Sequence, residues 1–163
     1  MKYSLKKLTL SDSFKIMKWR NEQMSVLRQR KSLTSEKQKE HFEEKILPEY
    51  LKEEPEQLLF GFCQDGILIG YGGLVHISWS NKRAEVSFLV DTLRAVNNKD
   101  YENDFTNFLI LIKKLAFEKL SLNRIYTETY SFRNYHISIL EKNGFQLEGK
   151  MKEHIYHMNQ FYD

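Results

Sequence analysis

The chemistry open to this chain begins with an uneven distribution of charge. Residues 2–39 hold eleven lysines and arginines against three acids, a net +8, and residues 40–56 hold seven acids against two bases, a net −5. Arg20, Arg28 and Arg30 belong to the basic stretch. Guanidinium forks match phosphate and carboxylate oxygens, so this quarter of the chain suits an anionic ligand; its plainer reading is solvated helix faces. Glu85 lies two residues from Ser87 on the polar side of an alternating run, where a carboxylate holds a proton or pairs with Arg83 or Lys82. His136 falls on a short helical segment and reads as a half-exposed histidine with a near-neutral pKa. One cysteine, Cys63, excludes a disulfide framework and a multi-thiolate zinc site, and reads as a small hydrophobe. His154 and His157 lack a third ligand nearby, so no metal is expected.

These groups need elements to hold them. Tyr3–Leu10 alternates as an opening strand, and Ser11 is placed to cap a helix running to about Glu22. Ser35 and Gln38 form a capping-box pattern, followed by Phe42, Ile46 and Tyr50 at helical spacing, with Pro48 ending or kinking that helix. Gln57–Gln64 and Ile67–Ile77 are strands joined by Asp65-Gly66, a pair suited to the positive φ angles of a type I′ turn. Arg83–Val90 is the next strand. A polar loop follows to about Asn103, then an amphipathic helix over Asp104–Leu120, a strand over Arg124–Tyr130, and a helix over Asn134–Asn143 closed by Gly144. One more strand falls within Phe145–His157.

The order β-α-α-β-β-β-α-β-α-β predicts an α/β or layered α+β fold: a mixed, mostly antiparallel central sheet flanked by helices. The length of 163 residues, without a linker or repeat, predicts one domain over 1–163. A hydrophobic content of 41% with 29% charged residues excludes collagen, coiled coil and wholesale disorder. No apolar run reaches the roughly 18 residues of a membrane span, and the N-terminus lacks the apolar core of a signal peptide, so a cytoplasmic location is expected.

That order, together with the segment from Asn134 to Gly149 ending in Glu141-Lys-Asn-Gly-Phe145-Gln-Leu-Glu-Gly149, resembles the GNAT acetyltransferase superfamily. Trp19-Arg20-Asn21, and Ala116-Phe-Glu-Lys-Leu120 followed by Leu122-Asn-Arg-Ile125, are similar to the branch holding ribosomal-protein N-terminal and amino-sugar N-acetyltransferases. The resemblance implies acetyl transfer from acetyl-CoA to a primary amine by direct attack. It implies Glu85 as base, His136 beside the departing thiol as acid, and backbone pairing of Phe88, Leu89 and Val90 with the pantetheine arm. Trp19, Arg20, Asn21 and Arg28 would line the acceptor site.

The sequence departs from the resemblance in the phosphate loop. Asp91–Asn103 has no glycine and is followed by Asp104, leaving Arg94 and Lys99, with Arg133 and Asn134 on the closing helix, to meet the cofactor. The acceptor implied is a small amine, with a nucleotide-linked amino sugar preferred because of the basic N-terminal quarter. A protein N-terminus is the alternative acceptor, with Glu43, Glu44, Glu53 and Glu54 as acidic walls. A degenerate module that binds a partner without turnover is the alternative of another class. Nucleic-acid binding is not expected, since no stacking platform accompanies the basic segment. Resembling chains continue past the Asn159–Asp163 segment into a final strand; either that strand is missing here or a partner covers the edge, which would give a homodimer.

Overall fold

The computed structural model describes residues 1–163 and divides into two compact units, Met1–Thr127 and Glu128–Asp163. In the first unit, β1 (Tyr3–Lys7), β2 (Leu58–Gln64), β3 (Ile67–Ser78), β4 (Arg83–Val90) and β5 (Arg124–Tyr126) form one sheet in sequence order. All neighbours are antiparallel except β4 and β5, which run parallel. The turn between β2 and β3 has left-handed φ at both central residues, 49° at Asp65 and 83° at Gly66, as the Asp-Gly pair predicts.

Both faces of this sheet are covered. On one, Trp19 and Ile16 of α1 (Asp12–Glu22), with Phe42 and Ile46 from the segment extending α2 (Ser35–His41), pack on Leu59, Tyr71 and Leu89. On the other, Phe88 of β4 stacks on Phe105 and tilts against Phe108 of α4 (Asn98–Lys113), with Phe62 edge-on to both Phe88 and Phe108. Cys63 is buried, and burial pushes its thiol pKa up, in keeping with a packing role. No helix is long and apolar enough to cross a membrane.

Local chemistry moves several boundaries from their expected places. Ser11 makes no side-chain capping bond; Asp12 does the organising instead, accepting from Thr9 N–H and Oγ1 and pairing with Lys6 at 2.8 Å. Thr34, not Ser35, caps α2 through Lys37 N–H. Past Phe42 the helix widens, then tightens over Leu47–Leu51 around Pro48. The polar loop after β4 is a short helix α3 (Thr92–Ala95) followed directly by α4, which begins at Asn98 because Asn97 accepts from the N–H groups of Lys99 and Asp100. The fifth strand stops at Tyr126, well short of Tyr130.

In the second unit, α5 (Asn134–Lys142) ends at Gly144, whose φ is 82°. The single strand expected before His157 is a pair: β6 (Ile155–His157) and β7 (Gln160–Tyr162) form an antiparallel hairpin. The segment read as a turn, Asn159–Asp163, therefore carries a strand of its own. The His157 ring stacks on Tyr130 and Phe132. His136 is buried rather than half-exposed, and burial, with Arg133 beside it, lowers its pKa from 6.5 to about 3. It is therefore neutral at physiological pH, so the near-neutral titration expected of it is absent.

Two outcomes follow. A Cβ on Gly72 would sit 2.2 Å from the Ser87 carbonyl oxygen and 2.8 Å from Phe108 Cζ, so Gly72→Ala must separate β3 from β4 or displace α4. Overpacking of this kind costs about 1–3 kcal/mol, to be read as a lower Tm, whereas Gly149→Ala, which meets nothing within 4 Å, leaves Tm unchanged. Between about pH 6.5 and 3 the unfolded chain binds a proton at His136 that the folded chain refuses, so its contribution is complete above pH 6.5 and is lost as pH falls. Denaturation at about pH 7.5 and about pH 5 is expected to differ by about 2 kcal/mol from this group, and His136→Gln to flatten that slope.

Candidate active site

β4 and β5 pair through Arg83–Arg124, Ala84–Ile125 and Glu85–Tyr126, and no further. Beyond Glu85 the β5-side edge of β4 has no strand beside it as far as Val90, a stretch of about 16 Å at ~3.3 Å per residue. Strand alternation decides which peptide groups face that gap. Asp91 N–H donates to the Ile69 carbonyl at 2.7 Å, so Ser87 and Leu89, in phase with it, turn their peptide groups toward β3. Val86, Phe88 and Val90 turn theirs the other way. The Val90 carbonyl accepts from Gln23 Nε2 at 2.8 Å, which leaves the Phe88 N–H and C=O facing the gap. The Phe88 side chain is locked meanwhile in the aromatic cluster under α4.

α1 is tied to the end of β4. Trp19 Nε1 donates to Asp91 Oδ2 at 2.8 Å, and Gln23 also donates to Thr92 Oγ1 at 3.2 Å. Trp19 is buried and ties α1 to Asp91. Asn21 organises the loop after α1: its carboxamide oxygen accepts from Leu33 N–H and Gln29 Nε2, and its nitrogen donates to the Leu33 carbonyl. Arg20 donates to Gln29 Oε1 and to the Tyr71 hydroxyl, and lines a cavity of about 150 Å³ with Ile16, Leu33, His41, Phe42 and Tyr71. His41 is held below its ordinary pKa by burial and by the charges of Arg20 and Lys45.

Glu85 is the buried acid of this region, at 6% exposure. Its side chain lies on the face of β4 that Leu89 shares with α1, opposite the aromatic cluster. Its partners are not Arg83 or Lys82. Arg28, from the loop after α1, places Nη2 2.9 Å from Oε1, and His76 places Nδ1 2.8 Å from Oε2. Both partners are more than half exposed, so the pair forms a polar rim over a buried carboxyl group. Burial without such partners would be costly for an ionised acid.

The residues after β4 are differently employed. Arg94 makes a two-pronged ion pair, Nε and Nη2 to Asp104 at 2.5 and 2.7 Å, and Asp104, which is fully buried, also accepts from the Tyr3 hydroxyl. Asp104 in turn raises the Arg94 pKa. Lys99 is exposed in the first turn of α4, whose leading amides are taken by Asn97. In the second unit, Arg133 sits at the N-cap of α5, Asn134 is exposed in its first turn, and Arg133 Nη2 lies 3.4 Å from His136 Nδ1.

His76, Gln23, Tyr71 and Asp91 also belong to this region, brought there by contacts between residues not adjacent in sequence. A signal existed for His76. Counting back evenly from the turn pair Ser78–Arg83 sets His76 opposite Glu85.

A family model described as "Acetyltransferase (GNAT) domain" matches residues 5–163. Among solved structures, spermidine N-acetyltransferase SpeG from Vibrio cholerae in complex with CoA and spermine is similar at 18% identity, with TM-score 0.82, covering 99% of this chain and 90% of that one. A dodecameric structure of the same enzyme is similar at 17% identity, with TM-score 0.76, covering 99% and 89%. At that identity the likeness concerns the fold, including its mixed sheet flanked by helices. The family match spans nearly the whole chain: the chain belongs to the GNAT acetyltransferase family and is an N-acetyltransferase that takes acetyl-CoA as co-substrate.

Proposed function

We propose that the acetyl group passes to the primary amine of a small acceptor at the parted edge of β4, with Glu85 as the base. The observation that carries this is Glu85 itself: a buried carboxylate on the same strand as the free Phe88 peptide, at the residue where β4 and β5 part. In this reading the pantetheine arm lies along Phe88, Leu89 and Val90. The Phe88 carbonyl accepts from an amide of the arm, and the Phe88 N–H meets the charge that grows on the thioester oxygen. The acceptor arrives as an ammonium and gives one proton to Glu85. Its nitrogen lone pair attacks the thioester carbon, the C–N bond forms, the C–S bond breaks, and the thiolate takes a proton from the amine that has become an amide. His136, neutral and buried, could donate only as a neutral imidazole. Arg94 is engaged with Asp104, so in the first unit the positive charge for the cofactor's diphosphate falls to Lys99.

An acceptor bearing an anionic group is the reading that Arg28 supports. Its guanidinium stands beside the base with an exposed side chain, and Arg20, Arg30 and Lys31 lie on or near the same loop. A nucleotide-linked amino sugar has the amine and the phosphates this requires. A polyamine is the second reading, favoured by the similarity to a spermidine N-acetyltransferase; a polycation would have to approach Glu85 past Arg28 and His76. Self-association as a homodimer or larger assembly is also proposed, supported by the dodecamer of the similar enzyme.

Glu85→Gln is expected to lower kcat by about 10²–10⁴-fold, with the CoA-induced rise in Tm retained. An unchanged rate across pH removes Glu85 as base. Absence of any Tm rise with CoA favours a module without turnover. With acetyl-CoA fixed, a nucleotide-linked amino sugar is expected to give a higher kcat/KM than spermidine, and Arg28→Ala to erase that advantage; the reverse preference establishes the polyamine reading.

A further inference from the structure

β3 and β4 stay in register from Gly70–Val90 to Val75–Glu85, and then the register slips, the next pair being Ser78–Arg83. Two residues of β3, His76 and Ile77, oppose the single residue Ala84 of β4, which makes a bulge. His76 has φ of 50°, a left-handed value uncommon for a residue with a side chain. Regular alternation would turn His76 away from Val75 and Glu85, to the face of the sheet that α4 covers. The bulge and the left-handed residue turn it back. Its Nδ1 then lies 2.8 Å from Glu85 Oε2, while Arg28 holds Oε1. With Glu85 taken as the proton acceptor its carboxylate only accepts, so in that role Nδ1 carries the hydrogen of this contact. The side chain is 65% exposed, so the His76 ring itself takes no part in core packing. What it achieves is one donor on each oxygen of Glu85. That fixes the plane of the carboxylate and leaves a further lone pair on each oxygen for an incoming proton.

We propose that His76 is a positioning residue for acetyl transfer: through its Nδ1–H it orients the Glu85 carboxylate toward the acceptor amine. The proposal rests on Glu85 acting as base and adds a residue that need not touch either substrate. The reaction's balance is unaltered, since the proton still passes from the ammonium to Glu85, and His76 keeps its own.

The test compares two substitutions that both tolerate the left-handed backbone. His76→Gly removes the ring and keeps the bulge; His76→Asn keeps a donor near the position of Nδ1. With the full chain and acetyl-CoA, His76→Gly is expected to lower kcat by about tenfold or more and to shift the acidic limb of the kcat/KM profile. Its KM for acetyl-CoA should stay within about twofold of wild type, since donor binding does not involve this side chain. His76→Asn is expected to recover most of kcat and the wild-type limb. A His76→Gly enzyme with wild-type kcat and pH profile overturns the proposal, and so does a His76→Asn enzyme as impaired as His76→Gly. Glu85→Gln separates the two levels: if it is fully active, the base assignment fails; if it is impaired while His76→Gly is not, only the role of His76 fails.

Discussion

Two neighbouring strands that run parallel for three residue pairs and then part are the constraint on which the rest of this structure depends. Between its neighbours in the sheet, β4 is paired along its length with β3 but has no strand past Glu85 on the β5 side. An unpaired peptide group is an open demand for a hydrogen bond. A pantetheine arm, with amide groups spaced along an extended chain, can meet it as a strand would. The same break in pairing leaves Glu85 at the last paired position, on the same strand as the stretch that lacks a neighbour. The aromatic cluster under β4 matters for this reason: Phe88 is clamped through its ring by Phe62, Phe105 and Phe108, and its backbone is thereby presented in a fixed place.

The other face supplies charge and order. Trp19 and Gln23 hold α1 against the end of β4, through Asp91 and the Val90 carbonyl. Asn21 then fixes the loop that follows, and the loop carries Arg28 to Glu85. The segment after α1 thus joins the end of β4 to Arg28, the ion-pair partner of Glu85. The burial of Glu85 is offset by two polar donors, Arg28 and His76, whose side chains reach out to water. Behind the slot, the Arg94–Asp104 pair with Tyr3 joins α3, α4 and β1 into one support, and it leaves little positive charge over for a diphosphate.

Much of this was readable from residue order. The Asp65-Gly66 turn, the bounds of β4, and α5 with its closing Gly144 follow from local rules, because each is decided by residues adjacent in sequence. Errors arose where a distant residue or a subtle cap decides. α4 starts at Asn98 because a single asparagine side chain satisfies its first amides, in a segment whose polarity reads as loop. β5 ends at Tyr126 because the sheet parts there, which no β propensity encodes. The resemblance implies Trp19 and Asn21 as acceptor-site residues, and three-dimensional placement adds a tie to Asp91 for the first and the organising of a loop for the second. The burial of His136 and the re-aiming of His76 by a bulge both depend on tertiary packing. A hairpin count alone could have suggested the second.

Residue-resolved amide hydrogen exchange, with and without saturating CoA, tests the role of the gap most directly. The amides of Ser87 and Leu89, already bonded to β3, serve as internal references beside Phe88. The account predicts that CoA slows exchange at the Phe88 N–H markedly more than at those two neighbours. Bound CoA with no added protection at Phe88 would contradict it, because the donor would then lie somewhere other than along the parted edge of β4.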